Sequence, residues 1–142
     1  MPGTLLLDLA GPLDVFTTAH ALLIAGTQDP ISPYGGGRVT LFGFGNRGLA
    51  LSARATAETF VRRNNLSGSH LAATLPHQRA SDPTAVERLV GPHRGRPVVA
   101  LYTVRGGGHV VPQPTFRFPR LMGRTTGDLD APAEAATFFG LR

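Results

Sequence analysis

Apolar residues along this chain fall in short runs separated by clusters of glycine, proline and small polar residues. No run approaches the roughly 20 residues that a membrane-spanning helix needs. Leu5-Leu6-Leu7 opens the first run, and a short helix is expected from Leu13 to Ala21. Ala21 to Ala25 reads as a buried strand, closed by the turn-forming cluster Gly26-Thr27-Gln28-Asp29-Pro30. Pro33 to Gly37 is loop, and Arg38 to Phe42 alternates as a short strand or extended arm. Ser52 is placed to cap a helix running to about Asn64, with Ala53, Ala57, Phe60 and Val61 near helical spacing. Ser67 to Arg96 is polar and broken by Pro76, Pro83 and Pro92, so it reads as a long connection with a helical turn near Thr84 to Leu89. The strongest strand signal is Pro97 to Val104, β-branched and apolar, ending in the loop Arg105-Gly106-Gly107-Gly108-His109. Pro112 to Gly127 is loop. Asp130 is positioned to cap a last helix, with Pro132 and Glu134 in its first turn. The predicted order is strand, Asp loop, helix, strand, His loop, helix, which is an α/β chain without internal repeats.

Composition narrows the chemistry. The 142 residues suit one domain, and 42% are apolar, enough for a core. There is no cysteine, which excludes a disulfide scaffold, a thiolate zinc site and a cysteine nucleophile. All 14 basic residues are arginine, so a Walker-type phosphate loop and a Schiff-base site are excluded too. The net charge of +5 invites a nucleic-acid reading. The arginines are spread from Arg38 to Arg142 without a basic stripe or an aromatic platform, so no nucleic-acid partner is expected. No membrane partner is expected either. The apolar start is broken by Asp8, Gly11-Pro12 and Asp14 and lacks a positive leading segment, so no signal peptide is visible and no localisation follows.

Two residues stand out as chemistry. Asp29 follows one predicted buried strand and His109 follows another. Functional groups of open α/β sheets sit at the carboxyl ends of strands. An Asp and then a His, each at a strand end, are what a Ser-His-Asp hydrolase requires from the second half of its sheet. There the histidine takes the serine proton, and the carboxylate fixes the imidazole tautomer. The plainer reading of Asp29 is a turn former before Pro30, and of His109 a loop residue.

The stretch Gly26-Thr27-Gln28-Asp29-Pro30-Ile31-Ser32-Pro33-Tyr34-Gly35-Gly36 resembles the acid loop of polyhydroxybutyrate depolymerase-like and feruloyl-esterase-like α/β-hydrolases. Val99 to His109 is similar to the histidine loop of that family, and Asn46 to Asn64 and Asp128 to Phe139 also look like it. The four segments occur in family order and span roughly Leu22 to Arg142. The resemblance implies a partial α/β-hydrolase fold, comprising the C-terminal strands and helices of the sheet, over residues 21–142. It implies carboxylic ester hydrolysis through an acyl-enzyme, with Asp29 as triad acid and His109 as triad base. The substrate would be a polyester or aromatic ester, and no cofactor or metal is implied. The nucleophile elbow G-x-S-x-G is not found; Ser69 follows no predicted strand, and Ser32 and Ser52 belong to the acid loop and a helix cap. The alternative is therefore a non-catalytic remnant or partner-dependent fragment. Its strands Ala21 to Ala25 and Pro97 to Val104 would lack sheet neighbours and invite self-association.

Residues 1–20 form a separate N-terminal segment, in which Leu5 to Phe16 resembles the start of PfpI-type glutamine-amidotransferase-like proteins. Gly43-Phe44-Gly45-Asn46-Arg47-Gly48 matches G-x-G-x-x-G between a possible strand, Val39 to Phe42, and a helix. That would suit a dinucleotide-binding turn, but no acid follows at the required spacing of about 20 residues. His20, His70, His77 and His93 show no metal-ligand spacing, Asp128 and Asp130 read as turn and cap, and Phe116 and Phe118 as loop anchors.

Overall fold

The computed structural model describes residues 18–141. Its elements are β1 (Ala21–Gly26), β2 (Gly37–Arg38), β3 (Leu49–Ala50), α1 (Ala53–Arg63), β4 (Leu71–Thr74), β5 (Ala85–Val90), β6 (Val99–Arg105) and α2 (Ala131–Phe139), with a short 3-10 turn at Arg120–Met122. The main sheet has the order β1-β6-β5-β4. β1 runs parallel to β6, and β5 and β4 are antiparallel to their neighbours. β2 and β3 form a separate two-stranded arm.

β6 organises the core because it is buried on both faces. Its seven residues read Val-Ala-Leu-Tyr-Thr-Val-Arg, and all but the last are buried. Strand periodicity sends alternate residues to opposite faces. Val99 and Leu101 pack with Ala57, Phe60 and Val61 of α1, while Ala100, Tyr102 and Val104 pack with Leu129 and with Phe138 of α2. The helices therefore cover opposite faces, giving a small mixed-sheet α/β fold. α1 begins where Ser52 accepts a hydrogen bond from the Ala55 N–H at 3.0 Å, and it stops at Asn64. Asn64 then grips the chain entering β1, donating to Ala19 O and accepting from Ala19 N, both at 2.8 Å. Asp130 caps α2 through the Ala133 N–H, and Gly140 closes it in the left-handed conformation.

Several expectations need correction. The connection Ser67–Arg96 contains the β4–β5 hairpin, and the helical turn expected near Thr84 to Leu89 is strand β5. Residues 85–90, Ala-Val-Glu-Arg-Leu-Val, bury Val86 and Val90 on one face, and that period-two demand overrides the helical reading. β5 also gives β6 a second neighbour, so Pro97 to Val104 is a central strand rather than an exposed edge. Among the described residues, the edges of the main sheet are β1 and β4. Val39–Phe42 is not a strand, and α1 starts five residues after Gly48, so the strand–turn–helix context of a dinucleotide turn is not formed. Of the helix expected from Leu13 to Ala21, residues 18–20 are irregular and Ala21 opens β1; the rest, and the segment Leu5 to Phe16, lie outside the described residues. Among the described residues, no helix is long and apolar enough to cross a membrane.

Leu101 is 2% exposed on the face of β6 that meets α1. Leu101→Ala is expected to destabilise the fold by about 2–5 kcal/mol, read from the midpoint of urea unfolding.

Candidate active site

The parallel register of β1 and β6 aligns Gly26 with Val104, so both strands end at one level and their loops emerge side by side. Thr27 N–H extends the ladder to Val104 O at 3.0 Å, and Gln28 N–H reaches Gly107 O at 2.9 Å. Gly106 N–H donates to Thr27 Oγ1 at 2.9 Å. A Cβ at Gly26 would overlap the carbonyls of Gly107 and Gly108, so this close approach requires glycine. On its far side the histidine loop is clamped by the 122–124 segment. Gly108 N–H donates to Arg124 O at 3.0 Å and His109 N–H to Met122 O at 2.7 Å. Gly108 lies against Gly123 so tightly that neither has room for a side chain.

These constraints bring the two predicted residues together across 80 positions. His109 Nδ1 and Asp29 Oδ2 are 2.8 Å apart. The other carboxylate oxygen, Oδ1, accepts from Ile31 N–H at 2.7 Å and Ser32 N–H at 2.9 Å, an Asx-type turn. The turn-forming and histidine-orienting readings of Asp29 are thus both realised, on different oxygens. Because a carboxylate only accepts, Nδ1 carries the proton and Nε2 is left as the basic nitrogen. The side chains are 21% exposed for His109 and 11% for Asp29, so the pair is largely sheltered without being sealed.

Burial opposes the charge on Asp29, yet the His109 hydrogen bond and the Ser32 and Ile31 N–H groups outweigh it and hold the carboxyl below its ordinary value of 3.8. The same hydrogen bond to Asp29 raises His109 above 6.5 against the opposing effect of burial. No serine, threonine or tyrosine hydroxyl among the described residues is hydrogen-bonded to His109 Nε2. Tyr34, five residues after Asp29, instead bonds Thr103 Oγ1 through its hydroxyl at 2.8 Å.

A second Asp–His pair was not legible from spacing. His77 Nδ1 lies 2.7 Å from Asp128 Oδ2, and Asp128 Oδ1 accepts from Gln78 N–H at 2.7 Å. Asp82 ties the same loops from the other direction, accepting from Gly127 N–H at 3.1 Å while holding Thr84. Asp82 is kept below its usual value because the Thr84 and Gly127 donors and the nearby Arg117 outweigh burial, which raises it. A hollow of about 400 Å³ between these loops is lined by Arg79, Asp82, Arg117, Thr125 and Asp128, away from His109. Phe116 and Phe118 pack edge to face at 5.1 Å. Among the described residues, no group of three or more His, Asp and Glu side chains is arranged to hold a metal ion.

The shifts fix the pH dependence of the dyad. Asp29 is depressed, so its contribution is present above its unfolded value of 3.8 and is lost as pH falls through the lower folded value. His109 is raised, so its contribution is full below 6.5 and is lost as pH rises through the higher folded value. Asp29→Asn is therefore expected to destabilise the protein more at about pH 5.5 than at about pH 8.5. It is also expected to lower the His109 titration midpoint, followed by the NMR shift of the imidazole Cε1 proton. Equal destabilisation at both values would contradict the ion pair.

No protein-family model matches the chain, and no curated protein or solved structure matches it, so the functional reading rests on the geometry of this site and on the residues that form it.

Proposed function

We propose that Asp29 and His109 are the acid–base pair of a serine-type carboxylic ester hydrolase of the α/β-hydrolase kind. The observation that supports this reading most is the 2.8 Å Asp29–His109 hydrogen bond at the carboxyl ends of two adjacent parallel strands. In this reading Nε2 of His109 takes the proton of a serine hydroxyl as that oxygen attacks the ester carbonyl. The imidazolium then gives the proton to the departing alkoxide, and water cleaves the acyl-enzyme by the same relay. Asp29 holds the imidazole in the tautomer that leaves Nε2 free and stabilises the cation that forms. The resemblance of the acid and histidine loops to depolymerase-like and feruloyl-esterase-like segments points to a polyester or aromatic ester as substrate.

A second reading is favoured by the open side of β1. Ala21 N–H and Thr27 N–H bond toward β6, so the main-chain groups of Leu22, Ile24 and Gly26 face away from it. Among the described residues β1 has one strand neighbour. A further strand adding parallel to this edge would end beside the Asp29 loop, and a hydroxyl carried on its following loop is what Nε2 of His109 would require. The dyad then works only when the hydroxyl-bearing element is present, and the chain alone is a partner-dependent or non-catalytic fragment.

The test is hydrolysis of p-nitrophenyl butyrate together with serine labelling by a fluorophosphonate read by mass spectrometry. Turnover at least about 10³-fold lower in His109→Ala, with loss of the label there and in Asp29→Ala, is expected for the hydrolase. Neither turnover nor label in the unaltered chain favours the fragment reading. Turnover indifferent to both substitutions overturns the role of the dyad.

A further inference from the structure

The other edge of the sheet, β4, carries a different opportunity. Leu71, Ala72, Ala73 and Thr74 are all exposed, and Leu71 is 61% accessible. The register pairs Leu71 with Val90 and Ala73 with Arg88, and Leu75 N–H donates to Val86 O at 2.9 Å. In an antiparallel ladder the bonded pairs alternate. Residues 71, 73 and 75 therefore bond inward to β5, and the N–H and C=O groups of Ala72 and Thr74 point outward along an edge that has no further strand among the described residues. Natural edges are commonly guarded by charge, proline or a bulge. Here Asn64 to Gln78 contains no Asp, Glu, Arg or Lys, and the first proline, Pro76, lies beyond the strand. The β4–β5 ladder runs from Leu71 to Thr74 with no register break.

We propose that β4 pairs with β4 of a second copy of this chain, antiparallel about a twofold axis at Ala73. A second copy is the occupant that this edge matches without further adjustment, because an antiparallel edge is self-complementary under twofold symmetry. Centred at Ala73, Ala72 of each copy faces Thr74 of the other. Both are outward-facing residues, so four main-chain hydrogen bonds close. On the opposite set of positions, Leu71 of each copy comes beside Leu75 of the other, and the two Ala73 methyl groups meet on the axis. The exposed Leu71 thereby gains an apolar neighbour, and no like charges face each other across the junction. The two four-stranded sheets become one of eight strands. The paired segment is short, so the contact belongs with weak, reversible interfaces rather than obligate ones.

The test is sedimentation velocity from about 10 µM to about 1 mM, the range in which a contact of this size reveals itself. The unaltered chain is expected to shift from monomer toward dimer across that range. Ala72→Pro removes one outward donor without touching the β5 ladder and is expected to abolish the shift. Ala73→Glu places two carboxylates on the axis at an exposed position and is expected to do the same, which guards against a proline variant that fails to fold. Hydrogen exchange adds a second readout: the Ala72 and Thr74 amides are expected to become protected with concentration, while those of Leu71 and Ala73 are protected throughout. A chain monomeric over the whole range, or a dimer that survives Ala73→Glu with unprotected Ala72 and Thr74 amides, overturns the proposal.

Discussion

Everything else in the structure hangs on the parallel pairing of β1 with β6. Two strands separated by more than 70 residues lie in register from Ala21–Val99 to Gly26–Val104, and that register makes them end together. Parallel strands need a crossover, and here the crossover carries both α1 and the β4–β5 hairpin. The helix buries one face of β6, and the hairpin gives β6 its second neighbour. The pairing thus assembles the core and delivers two distant loops to one place. A register slip of one residue would turn the side chains of β1 to the wrong faces and separate Asp29 from His109 at the same time.

The loops at that end are held by main chain more than by side chains. Gly26 lets the backbones of the two loops touch, Gly108 and Gly123 lock the far side, and Thr27 ties the acid loop to the histidine loop. These main-chain contacts position the two side chains independently of their own hydrogen bond. That matters for the pKa shifts, because a carboxylate and an imidazole held at hydrogen-bond distance by the backbone stabilise each other's charged forms at little further cost in ordering.

The elements readable from residues alone were those whose signal is local. Ser52 and Asp130 announce helix starts through their own side chains, and Val99 to Val104 reads as strand because every residue favours it. β4 was invisible because Leu-Ala-Ala-Thr is exposed on both faces and owes its conformation to β5, not to a pattern of its own. β5 reads as a helical turn because Glu87 and Arg88 interrupt its apolar run, and Glu87 is matched by Arg105 only across the sheet. Asp29 and His109 were legible as strand-end residues. His77 and Asp128 were not, since His77 follows β4, which has no pattern of its own, and Asp128 lies in irregular chain.

The two Asp–His pairs share a hydrogen-bond distance and differ in their place in the fold. By distance they are nearly equal, 2.7 Å for His77–Asp128 and 2.8 Å for His109–Asp29. In both, one carboxylate oxygen holds the ring and the other accepts from the backbone, two N–H groups at Asp29 and one at Asp128. The difference lies in where each pair stands. Asp128 has a fully buried side chain and joins two irregular loops, together with the bond from Gly127 to Asp82, so its partner His77 completes a loop staple and stands 47% exposed. Asp29 and His109 stand at the carboxyl ends of adjacent parallel strands, beside an edge that further chain can extend. A general base needs a sheltered ring with one nitrogen fixed and a rigid approach to the other. In the proposed hydrolase the sheet would supply the first part of that requirement, by fixing Nδ1 of His109 against Asp29. His77 follows the edge strand β4 while Asp128 lies in irregular chain, so that pair links the β4–β5 loop to the segment before α2 instead of joining two parallel strand ends.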